Sequence, residues 1–255
     1  MKTLPAGAAC LGLLLAVPLA AQETSLTRSE VTAIKNKLVV VQTAMGADPA
    51  GYIKESEDFN LPTDFNPAQD GRFWPITSGI SLRYTDRAAV EGSANVERLA
   101  AEFQSRYAAA MASGDAATIT RMVEEMTRMQ TQAAAAAMAA SVAPKEPMQV
   151  YVQFNQNPSV AIDPDAIVLE QPGVIALREK ELTSDEGSVT VYHDPVALRA
   201  TEELSRFELR TPNEGVSNKT GIFHIVIEAH GSVPDIEPWV MSFDFDAMLG
   251  VFDAR

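Results

Sequence analysis

At Ala143-Pro144-Lys145-Glu146-Pro147 the hydrophobic period of the chain changes, and that switch constrains the fold more than any other feature. Before it, apolar residues recur every three to four positions; after it, they recur every second position. A helix buries a stripe and a strand buries alternate residues, so helices are expected first and strands later.

Upstream of the switch, Thr27-Arg28-Ser29-Glu30 has the pattern of a capping box. Val31, Ile34, Leu38, Val41 and Met45 follow at helical spacing and Gly46 supplies a stop, which predicts a helix from about Arg28 to Met45. Between Asp48 and Ser78, Pro49, Pro62, Pro67 and Pro75 punctuate the chain, interleaved with Phe59, Phe65, Phe73 and Trp74. Such a stretch is too aromatic for disorder and reads as an irregular segment packed by its rings. Ile80 to Thr85 alternates like one half-buried strand. An antiparallel helical hairpin is then expected. Its first arm, about Ala94 to Ala112, carries Val96, Leu99, Phe103, Tyr107 and Met111, and Gly114 and Asp115 make the turn. The second arm carries Ile119, Met122, Val123, Met126 and Met129, then the Ala133–Ala137 run. Its methionine stripe reads as the buried face of the hairpin rather than a copper(I) site.

Downstream, Val150–Phe154, Val174–Leu177, Val189–Val191, Phe223–Ala229 and Trp239–Phe245 are five strand candidates. One helix is expected between the third and fourth, opened by Asp194-Pro195 and carrying Leu198, Leu204 and Phe207. The predicted class is therefore α+β: N-terminal helices including the hairpin, then a mostly antiparallel sheet of about five strands with one helix. The corresponding division is 1–21, 22–143, a linker at 144–147, and 148–255, with 22–143 and 148–255 packing as separate units or as one domain.

Residues 1–21 read as a secretory signal. Lys2 is the positive region, Ala8 to Val17 the apolar stretch, and Ala20-Ala21 the small residues before the cut. That stretch is far short of the roughly 20 residues a membrane span needs. Cys10 lies too early to be a lipid anchor, so the chain from Gln22 onward holds no thiol, and disulfides, cysteine nucleophiles and iron–sulfur ligation are excluded. The expectation is a soluble periplasmic or secreted protein without a transmembrane segment. Its net charge of −14 offers no basic patch for nucleic acid.

The residues point weakly to chemistry. No Gly-x-Ser-x-Gly elbow, His-Glu-x-x-His, phosphate loop or dinucleotide fingerprint is present, and no cofactor is implied. On the predicted strand at 223–229 and just beyond it, Glu228 and His230 fall on one face, about 7 Å apart, with His193 a possible third ligand for zinc. Phe59, Phe65, Phe73 and Trp74 are candidates to line a groove for a protein or small ligand, or to staple the first helix to the sheet. The functional expectation is a non-catalytic binding or structural protein of the cell envelope. The alternatives are a carboxylate-dependent hydrolase, with glycans as one substrate class, and a metal-binding or chaperone-like periplasmic protein. The signal reading has a direct check: intact mass of the exported protein should place its N-terminus at Gln22, and a species retaining Met1 or Lys2 refutes cleavage.

Overall fold

The computed structural model describes residues 24–252, apart from 115, 141–144, 157–158, 182–183, 200–205, 210–211 and 213–214. The signal stretch and part of the linker therefore lie outside the described residues.

Helix α1 spans Arg28–Ala44. Its capping box is formed in both directions: the Glu30 amide donates to the Thr27 hydroxyl at 3.3 Å and the Thr27 amide donates to the Glu30 carboxylate at 2.7 Å. Strands β1 (Tyr52–Asn60) and β2 (Ser78–Asp86) follow, then the long helices α2 (Arg87–Ser113) and α3 (Ala116–Ala140). The chain continues through β3 (Met148–Phe154), β4 (Ser159–Ala161), β5 (Ile167–Gln171), β6 (Val174–Lys180), β7 (Glu186–His193) and β8 (Arg206–Glu208). It closes with β9 (Ile225–Ser232), α4 (Val233–Val240) and α5 (Phe245–Leu249).

Seven strands form one sheet in the order β1-β2-β3-β9-β7-β6-β5, antiparallel at every pairing. Both sides of the period switch contribute, because β2 pairs with β3 across it. One face carries Ile80, Leu82, Val150, Val152, Val189, Val191, Ile225 and Ile227, covered by α1, α4 and α5. Over β6 and β7 the opposite face is also covered, by Leu198, Phe207 and Leu209 packing on Ile175 and Val226. Burial on both faces explains why 174–177 is an unbroken apolar run rather than an alternation.

The class is α+β, but the sheet is larger than the five strands expected. Strand β1 escapes the sequence reading because most of its residues are exposed and Glu55, Glu57 and Asp58 lie along it. Charge on an edge strand discourages further strand pairing, and here it also masks the alternation. Trp239–Phe245 is not a strand. Pro234 opens α4, Trp239 and Val240 are both buried at its end, and Asp244 caps α5 by accepting from the Ala247 amide at 2.9 Å. Two short helices with a turn between them imitate a period of two. The helix expected over 195–207 is also corrected. Asp194 accepts from the Val196 and Ala197 amides, but only turns follow through Arg199, and Phe207 sits on β8. Leu204 lies outside the described residues.

One buried polar residue holds three strand ends together. Asn155 is in the left-handed region at φ 58° and is buried. Its amide nitrogen donates to the Ile76 and Gly221 carbonyls at 2.8 and 2.9 Å, and its oxygen accepts from the Phe223 amide at 2.9 Å. Asn155→Ala strands these groups and puts a Cβ residue with no local hydrogen bond at positive φ. It should lower stability by about 3–5 kcal/mol, read as a shifted urea midpoint; a loss under about 1 kcal/mol refutes this role.

Candidate functional site

The aromatic candidates do not converge on a groove. Phe65 and Phe73 meet edge to face, 4.9 Å between centroids, and Phe65 belongs to the main core. The Lys219 ammonium lies 3.9 Å from the Phe65 centroid and 4.8 Å from that of Phe73, while pairing with Glu30 of the α1 cap at 3.4 Å. Phe59 is half-buried under Lys35, 4.7 Å away. The chain's own lysines thus occupy these ring faces. Trp74 stands apart and 43% exposed.

Of the metal candidates, Glu228 and His230 are brought together, with Nε2 and the carboxylate 3.5 Å apart beside the Tyr151 ring. His193 is not with them. It registers with Ile225, about 17 Å along β9 from His230, and its side chain points to the other sheet face, against Phe245. Among the described residues no group of three or more His, Asp or Glu is arranged to hold a metal ion.

The feature left open to a partner is the α2–α3 hairpin. It is inserted between β2 and β3, and its root is tied on both sides. Asp86 caps α2 through one carboxylate oxygen, accepting from the Ala88 amide at 2.9 Å. Its other oxygen accepts from the Lys145 amide at 3.2 Å, so one side chain joins the incoming and outgoing strands. Arg87 donates to the Tyr52 carbonyl at 2.8 Å. Lys145 spans the Tyr52 ring to reach Asp235 at 2.8 Å, and the Tyr52 hydroxyl donates to the same carboxylate. Burial, with Asp235 adding to it, holds the Tyr52 phenol above its ordinary range.

Beyond this root the helices pack chiefly on each other among the described residues. At 1.5 Å per residue α2 extends about 40 Å. The helices run antiparallel, as the Arg106–Glu125 pair requires, both guanidinium nitrogens lying 3.0 Å from the carboxylate. Among the described side chains of the two helices only Ala110 and Met122, near the Gly114 turn, are buried. Met126 and Met129 instead line an open groove with Val96, Leu99 and Phe103, about 320 Å³ in volume, walled by Gln104 and Gln130. The methionine stripe is therefore fully covered only at its Met122 end, with Met126 and Met129 half-buried, because no third element among the described residues packs on it. Of the eleven exposed large hydrophobic side chains among the described residues, six (Val90, Val96, Leu99, Tyr107, Met111 and Val123) are on this arm. The groove lining is apolar apart from Gln104 and Gln130, a surface suited to apolar contact. Among the described residues no helix is long and apolar enough to cross a membrane.

The buried His193 makes the body sensitive to acid. Burial pushes its imidazole down to about 3 from the ordinary 6.5, against a weaker upward pull from the Ile225 backbone. Between those values the unfolded chain binds more protons than the folded one, so stability falls as pH drops, at up to about 1.4 kcal/mol per pH unit. His193→Leu should remove one proton from the slope of stability against pH between 6 and 4, measured by chemical denaturation at stepped pH; an unchanged slope refutes the assignment. Comparison of the chain with protein-family models, curated proteins and solved structures gave no match, so the functional reading rests on these residues alone.

Proposed function

We propose that this is an exported, non-catalytic interaction protein that presents the α2–α3 arm to a protein partner in the cell envelope. The observation that carries this reading is the open apolar groove between Val96, Leu99, Phe103 and Met126, held away from the body on a tied root. An apolar surface left uncovered on a projecting element costs free energy that a partner's side chains recover. The groove is lined by two methionines, whose flexible thioethers adapt to varied apolar shapes. Its glutamine walls supply hydrogen bonds without adding charge.

The arm's charge supports the same reading. α2 and α3 carry five arginines and five glutamates, whereas the whole chain has a net charge of −14. The acidity that keeps most proteins apart is thus confined to the body, and the arm is left electrically permissive.

A photo-crosslinking amino acid placed at Gln104, on the groove wall, tests this in cells that export the protein. A discrete protein adduct is expected from Gln104 and none from Asp58 on the charged edge strand. Absence of any adduct from both Gln104 and Gln130 overturns the reading.

A further inference from the structure

We infer that the occupant of the groove is a second copy of this chain, two arms packing antiparallel as a four-helix bundle. This rests on the interaction reading above and names the partner.

The argument begins with how much apolar surface each helix carries. A hairpin of two helices can bury one seam per helix, the one facing its neighbour. Here each helix carries an apolar stripe wider than that one seam. On α2, Val96, Phe103 and Tyr107 lie beside the buried Ala110, and on α3, Ile119, Val123 and Met126 lie beside the buried Met122. Phe103, Ile119 and Met126 are half-buried, but Val96 is 48% and Val123 44% exposed, so the hairpin leaves part of each stripe uncovered. A stripe wide enough for two neighbours is the pattern of a helix inside a bundle, where each helix contacts one on either side. Two such hairpins complete the set.

Size and charge then select a second copy. A face about 40 Å long and two helices wide, about 18–20 Å, offers about 700–800 Å². A standard stable interface buries about 800 Å² per partner. The neutral balance of arginine and glutamate on the arm removes the repulsion that two acidic bodies would otherwise impose at contact. Antiparallel packing also sends the two bodies to opposite ends of the bundle, so their charge is kept apart. A two-fold axis across the arms makes the contact closed, with each groove receiving the same residues that it offers.

Sedimentation equilibrium of the exported protein tests the proposal, with Val96→Glu/Val123→Glu as the variant. Both positions are exposed in the single chain, so the variant should keep its helix content by circular dichroism. A mass twice that of the chain is expected at micromolar concentration, with the variant's dissociation constant raised at least about a hundredfold. A wild type that stays monomeric at about 100 µM overturns the second copy. If its Gln104 still crosslinks to another protein, the interaction reading survives alone; if it gives no adduct, both fall. A variant that dimerises as tightly as the wild type overturns the arm as the interface.

Discussion

The double pairing of β9 is the constraint on which the rest of the structure depends. On one side it pairs with β3 across Gln149–Phe154, and on the other with β7 across Glu186–His193. These ladders join two three-stranded meanders that are separate in sequence, β1-β2-β3 and β5-β6-β7, into one sheet. The strand's own side chains serve both layers. Ile225, Ile227 and Ala229 enter the main core, and Val226 enters the second. Neither core is completed by neighbours in sequence, so the last third of the chain must return before either half is covered. Polar contacts fix that return: Asn155 holds the segment leading into β9 through the Gly221 carbonyl and the Phe223 amide.

That closure also fixes the arm. β2 and β3 are adjacent and antiparallel, with Tyr84 opposite Met148, so a short turn would suffice to join them. The chain spends 61 residues there instead, Arg87 to Pro147. The insertion leaves the ladder intact because its two ends are held at the spacing of paired strands, and Asp86 bridges them directly by capping α2 and accepting from Lys145. The Tyr52–Asp235–Lys145 contacts extend this bracing to β1 and α4. The arm's direction is therefore set by the sheet, while its own stability comes from helix propensity and one interhelical seam.

Periodicity made the class, α1 with its capping box, the hairpin and four of the five expected strands legible, because most of these bury one face more than the other, and β6, buried on both, showed instead as an unbroken apolar run. It failed where an element buried too little or was too short to mark a face. Strand β1 has few buried residues, β5 is a half-buried edge, and β4 and β8 have three residues each, too few to define a period. At Trp239–Phe245 the alternation arose from two helix ends, and Pro234 was the stronger signal. The uncovered part of the arm's apolar stripe was visible as residues but not as a site. Val96, Tyr107 and Val123 look the same whether a neighbour covers them or not, and only the sheet order shows that nothing in the described chain does. The aromatic segment shows a different limit: Phe65 and Phe73 are individual in sequence, but Lys219, more than 140 positions away, supplies their partner.

The exposure of the arm follows from the body's surface rather than from the arm's composition. An amphipathic hairpin folds back onto a sheet when the sheet offers an apolar face. Here one face is already filled by α1, α4 and α5. The other, over β2 and β3, presents Ser81, Arg83, Gln149, Tyr151 and Gln153, with Glu228 and His230 beside them, which gives α2 and α3 almost nothing apolar to cover. α1 has a similar helical period and is buried because strands of the first meander and the late helix α5 pack on it. The same pattern written between β2 and β3 has no such surface within reach. Among the described residues nothing covers the wide apolar stripe in that place, and the polarity of the open sheet face is what leaves it available.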